Sequence, residues 1–118
     1  MTFSRGVELH NAGDYFAAHE AWEALWRAET NAETRLLLQG LIQITAAFHK
    51  HFVMDNPTSA QKLLARGLAK LENAPDFYEG VDLKKFRNGA ARCDDRFTSG
   101  TMDESAVPKF QFVDLERS

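Results

Sequence analysis

Several features that would assign a small protein to a functional class are scarce or missing in this chain. Its 118 residues include one cysteine, Cys93, and three prolines. A single cysteine excludes an intramolecular disulfide framework and agrees with a reducing compartment. No apolar run approaches the roughly 20 residues of a membrane span, and the N-terminal residues lack the apolar core of a signal peptide. We therefore expect a cytoplasmic protein without membrane association.

An excess of positive charge is also absent. The 14 Lys and Arg residues are outnumbered by 17 Asp and Glu residues, which leaves a formal net charge of -3. Without a stripe of Lys and Arg to offset phosphate charge, nucleic-acid binding is not expected. The chain length and the 44% apolar composition suit one globular domain with a single core.

Local signals predict an all-α fold, a compact bundle of about five helices, and no convincing strand pair. Gly13 suits a left-handed C-terminal cap. Asp14, Asn56 and Asp82 are typical N-cap residues. The predicted helices cover about residues 3–11, 15–28, 32–53, 57–72 and 82–97.

The bundle domain is expected to comprise residues 1–97, and residues 98–118 a linker and an extended C-terminal tail. Residues 98–105 are rich in Ser, Thr, Gly and Asp. In an extended tail, Phe110 and Phe112 would point to the same side and need to be covered. We expect the bundle of the same subunit to cover both, and we expect a homodimer.

The segment from His19 to Trp26, with the sequence HEAWEALW, concentrates polar and aromatic residues on one predicted helix. At about 100° per residue, His19, Glu23 and Trp26 share a face. An ionisable pair among indole rings indicates either a functional site or a polar part of the core. This segment is therefore the first candidate for a site.

The third predicted helix carries a polar line that could meet this segment. It is apolar around most of its circumference, yet Arg35, Gln39 and Gln43 lie on one side. Because buried amides and charges need partners, we expect Glu23 to face Arg35 or a glutamine, and His19 to face a glutamine. This predicted polar seam would be largely buried and could line a small pocket.

Two alternatives stay open beside an uncharacterised domain with a structural seam. His19 and Glu23 lie four residues apart, the spacing at which one helix offers two metal ligands, so a metal-assisted hydrolase would use them with Glu20 as general base. No further ligand motif is evident, so neither a metal nor another cofactor is expected. The second alternative is a peptide- or protein-binding helical hairpin similar to tetratricopeptide repeats, suggested by Gly13-Asp14-Tyr15 and Ala18.

Three groups of residues together resemble a known family. The first comprises Phe3, Leu9, Asn11, Gly13, Tyr15-Phe16, His19-Glu20, Trp22, Glu23 and Trp26. The second comprises Gln39-Gly40-Leu41-Ile42-Gln43, Ala46-Ala47 and His49, and the third is Gly80-Val81-Asp82. This pattern resembles domain-of-unknown-function family 309, small all-helical prokaryotic proteins without an established activity.

The resemblance spans about residues 3–97 and implies a compact helical bundle, but no reaction. Where the family pattern usually has an aromatic residue, this chain has His10, which makes it a poor site candidate and a substituted core position. The polar and aromatic positions that the resemblance marks are His19, Glu20, Glu23, Trp26, Gln39, Gln43 and His49.

Overall fold

Helices make up most of residues 2–113, which are the residues that the computed structural model describes. Within this range no helix is long and apolar enough to cross a membrane. The all-α prediction is confirmed, with one two-stranded hairpin added. In chain order the elements are α1 (Phe3–Asn11), α2 (Tyr15–Ala28), α3 (Ala32–Phe52), α4 (Pro57–Lys70), β1 (Phe77–Tyr78), β2 (Val81–Asp82), α5 (Leu83–Ala91) and α6 (Asp94–Ser99).

The predicted helix boundaries follow from side chains that satisfy free backbone groups. Asp14, Asn56 and Asp82 each accept a hydrogen bond from the backbone N–H three residues later, at 2.9–3.3 Å. Each bond satisfies one N–H that has no partner inside its helix. Gly13 has φ +85, the left-handed conformation predicted after α1.

α3 is the central helix, and it is packed against α2 on one side and α4 on the other. Its residues Leu41, Ile44 and Phe48 are fully buried. Helices α3 and α4 touch through their backbones, since a Cβ on Gly67 would lie 2.7 Å from the carbonyl oxygen of Gly40. Any larger residue at this position would therefore push the two helices apart.

Helices α2 and α3 pack antiparallel, as predicted. The backbone carbonyl of Tyr15, at the start of α2, lies 3.5 Å from the hydroxyl of Thr45 near the end of α3. At the opposite end, the carbonyl of Trp26 accepts a hydrogen bond of 2.6 Å from Arg35.

The hairpin was not expected from the sequence. Phe77 pairs with Asp82, and Tyr78 pairs with Val81. The turn between them contains Glu79 at φ +50 and Gly80 at φ +76. Two consecutive positive φ angles match the twist of a tight hairpin, and strands of two residues are too short to show an alternating pattern.

The predicted helix over residues 82–97 is divided in two. α5 ends at Ala91, and α6 begins at Asp94, where two acidic residues occupy the first turn. Negative charge stabilises a helix N-terminus, which favours a new start at this point. Cys93 lies between the helices and is buried.

The C-terminal segment contributes to the same core as the helices. Met102, Val107 and Phe110 are buried. The Phe110 ring stacks on Phe86 with 3.7 Å between centroids, so the prediction that the bundle covers Phe110 is confirmed. The same prediction is wrong for Phe112, which is 56% exposed. Phe112 forms a β-bridge with Val81, and this backbone pairing does not cover its ring.

Candidate functional site

The polar residues of α2 lie on the helix face that is turned away from the core. The inward face buries Tyr15, Ala18 and Trp22. Phe16, Glu20 and Arg27 recur at intervals of four and seven residues, and all three are exposed. The alternation follows from the helical period, because residues three or four apart share a side of the helix.

His19, Glu23 and Arg27 form a chain of contacts along this outer face. His19 Nε2 lies 3.2 Å from one carboxylate oxygen of Glu23, and Arg27 donates to the other oxygen. The side chains of His19 and Glu23 are 27% and 30% exposed. Both side chains are therefore partly buried, and their pairing is one between neighbours on a partly open surface.

The predicted contacts with α3 are wrong. The guanidinium of Arg35 lies 4.2 Å from the centroid of the Trp26 ring and donates to the carbonyls of Trp26 and Glu29. The free carbonyls at the C-terminus of α2 attract a cation, and they lie closer to Arg35 than Glu23 does in this packing. Gln43 faces the other neighbour and accepts a hydrogen bond of 2.8 Å from Lys70 of α4. Gln39 is half-buried.

The geometry around His19 bears on its chemistry. The ring presents Nε2 to the Glu23 carboxylate at 3.2 Å. Nδ1 is buried and has no hydrogen-bond partner among residues 2–113. Glu20 is exposed and lines the same depression as Glu23. Across the described part of the chain, no three His, Cys, Asp or Glu side chains are grouped so as to hold a metal ion.

Phe16 is the residue that joins the polar face of α2 to α3. Its ring stacks on His19 with 5.9 Å between centroids and lies 5.2 Å from His49. Two adjoining depressions of about 270 and 230 Å³ share Phe16 and His19. We call them together the α2–α3 groove, which is lined by Phe16, His19, Glu20, Glu23, Arg27, Ala46, His49, Lys50 and Met54.

A buried polar cluster exists in the molecule, but at His10 rather than at His19. His10 is 1% exposed, and its ring nitrogens lie 3.0 Å from the hydroxyl of Thr45 and 3.0 Å from the carbonyl of Pro108. Burial lowers the pKa of His10 to about 4, against the opposing effect of the Pro108 hydrogen bond. The family resemblance implied a core position for His10, but its tail partner lies 98 residues away and left no local signal.

Comparison with known proteins gives a consistent result. The model of a family described as "Domain of unknown function (DUF309)" matches residues 3–63. An "Uncharacterized protein" of Aquifex aeolicus (strain VF5) is 34% identical over 77 residues, which are 65% of this chain and 23% of that protein. The chain thus spans under a quarter of that relative's length. Both walls of the α2–α3 groove lie inside residues 3–63, whereas α5, α6 and the tail lie outside.

Proposed function

This chain belongs to the family described as a domain of unknown function, DUF309, and from that premise we propose that it is a protein-binding domain. Its α2–α3 groove would receive an amphipathic helix of a partner protein, in the cytoplasm. The observation that carries the proposal is Phe16, which is 50% exposed at the centre of the groove between two histidine rings.

The apolar character of the groove supports a protein partner. Met54 lines the same depression as Phe16 and is 53% exposed, and the adjacent Val53 is 67% exposed. A group of exposed large apolar side chains beside polar ones is typical of an interaction surface. Amphipathic helices bind such grooves through apolar side chains spaced three or four residues apart.

The charged residues around the groove indicate which side chains the partner helix should present. Glu23 already contacts His19 and Arg27, whereas Glu20 takes part in none of the ion pairs found within residues 2–113. Lys50 lines the opposite, α3 side. The partner helix would therefore place a Lys or Arg towards Glu20 and an apolar side chain on Phe16.

Less supports the hydrolase alternative. That alternative would use His19 and Glu23 as metal ligands and Glu20 as general base, and within residues 2–113 no third His, Cys, Asp or Glu side chain joins them in a group that could hold a metal ion.

The experiment selects peptides from a random-peptide phage library on the wild-type protein and measures the affinity of the selected peptides as synthetic molecules. We expect selected peptides to combine apolar residues at helical spacing with Lys or Arg. Phe16→Ser should weaken their binding by about tenfold or more, as loss of a central aromatic contact does. Phe77→Ser is the matched control, because Phe77 is 51% exposed but lies on the hairpin.

Equal affinity of the selected peptides for wild type and Phe16→Ser would overturn the groove as the binding site. Sedimentation velocity tests the other occupant, a second copy of the chain. If the wild type is a dimer that Phe16→Ser dissociates and Phe77→Ser leaves intact, the groove is a homodimer interface. The proposal of a helix from another protein would then be wrong.

A further inference from the structure

A second depression lies between α5, α6 and the C-terminal tail, away from the α2–α3 groove. Its volume is about 300 Å³. No Asp or Glu of the described residues lines it. Four cationic side chains line it, namely Lys85, Arg92, Arg96 and Lys109. We call this depression the basic pocket.

Packing of the tail against α5 creates this pocket. Lys85 and Gly89 lie one turn apart on α5, Arg92 follows the end of α5, and Arg96 lies on α6; all four line the pocket. A Cβ on Gly89 would lie 2.9 Å from Cβ of Pro108, so only glycine admits the tail at this distance. The tail then forms the second wall of the pocket. It contributes the fourth cation, Lys109, which follows Pro108.

The charges in the basic pocket are largely uncompensated. Within residues 2–113, none of the four cations takes part in an ion pair. Lys85 donates to the side-chain oxygen of Gln111 at 2.9 Å, and Arg96 donates to the carbonyl of Thr101 at 3.2 Å. Both acceptors are neutral, so they orient these side chains without cancelling their charge.

One carboxylate influences Arg96 from outside the pocket. Asp103 has a lowered pKa, first because the Ser105 hydroxyl donates to its carboxylate and to a smaller extent because of Arg96. The carboxylate also accepts from the backbone N–H groups of Ser105 and Ala106. Asp103 is thus engaged in starting the 3-10 turn of residues 104–106, and Arg92 and Lys109 have no comparable acidic neighbour in the lining.

We propose that the basic pocket binds a small molecule that carries a phosphate or diphosphate group. Guanidinium groups match phosphate oxygens with paired N–H donors, and lysines add point charges. The volume is at the lower end for small-molecule sites. An overall charge of -3 favours a compact anion held by a local cluster over an extended polyanion, which would meet repulsion beyond the pocket.

The test uses inorganic pyrophosphate as the probe at constant ionic strength, followed by 15N–1H correlation NMR of the full chain. We expect saturable shifts at Gly89, Arg92 and Ala106, with a dissociation constant of about 1 mM or lower. The double variant Arg92→Gln/Lys109→Gln should weaken binding by about tenfold or more. Both side chains are exposed, so the variant should keep the wild-type melting temperature.

The matched control is Lys62→Gln/Arg66→Gln, which removes the same two charges from exposed positions of α4. Its affinity for pyrophosphate should equal that of the wild type. Equal weakening in the two double variants would reduce the effect to overall charge and overturn the site. Shifts that do not saturate, or that spread evenly over the surface, would overturn it as well.

Discussion

The two histidines His10 and His19 lie on adjacent helices and differ in almost every physical respect. His10 is fully enclosed, and both its ring nitrogens have partners from other parts of the chain. His19 is partly open, contacts a glutamate one turn away on its own helix and leaves Nδ1 without a partner in the described residues. The first histidine connects α1, α3 and the tail, whereas the second belongs to a groove at the surface.

The comparison of His10 with His19 distinguishes polar groups that stabilise the fold from polar groups that are available for binding. The hydrogen bonds to both ring nitrogens of His10 compensate for its burial, because an unpaired buried polar group costs about 1–3 kcal/mol. Groups on an open surface carry no such requirement, since water can satisfy them. Three predictions of decreasing size test whether His10 and His19 fall on opposite sides of this division.

The largest effect is expected from His10→Ala. The substitution leaves a cavity in the core and removes one of two partners of the Thr45 hydroxyl and the side-chain partner of the Pro108 carbonyl. We expect the free energy of unfolding to fall by about 4 kcal/mol, measured by denaturant unfolding. His19→Ala is the matched control and should cost less than about 1 kcal/mol. Similar losses in the two variants would remove the distinction between the sites.

The next effect is a loss of stability in acid. The folded-state pKa of His10, about 4, lies below its ordinary value of 6.5, so the unfolded chain takes up the proton first as the pH falls. His10 therefore lowers the free energy of unfolding between pH 6.5 and about 4, by about 3 kcal/mol in total, with no effect above that range.

Denaturant unfolding across this pH range measures the contribution as a difference between variants. His10→Phe removes the titrating group and should flatten the pH dependence, although its starting stability will be lower because the Pro108 carbonyl loses its donor. If wild type and His10→Phe have parallel pH profiles, His10 is not the group responsible.

The smallest effect is expected from Glu23→Gln. Breaking a buried ion pair would cost about 3–5 kcal/mol, the value that the predicted polar seam requires. Glu23 is instead 30% exposed beside an exposed Arg27, so we expect a loss below about 1 kcal/mol that shrinks further in high salt. A loss of several kcal/mol at all salt concentrations would instead support the buried ion pair of the predicted polar seam.

The fold was largely predictable because its signals are local. Asp14, Asn56 and Asp82 begin helices, and Gly13 follows one, in agreement with the structure. Each signal depends on atoms within about four residues, which a sequence pattern contains. The residues of the α2 segment were also correctly placed on one helix. Their partners were predicted wrongly, because helical periodicity gives the face of a residue but not which neighbour that face meets.

By itself, then, the sequence determined the helices, their caps and the faces along which polar and apolar residues separate. Tertiary structure alone decided that His10 and Asn11 form hydrogen bonds with the C-terminal tail. The side chain of Asn11 bonds to both the backbone N–H and the carbonyl of Phe110. It also decided that Lys109 joins the cations of α5 and α6 in one pocket. The physical reason is the sequence separation of 98 and 99 residues across the tail contacts. Contacts at such distances arise only when the helices have packed and the chain end has a surface on which to lie.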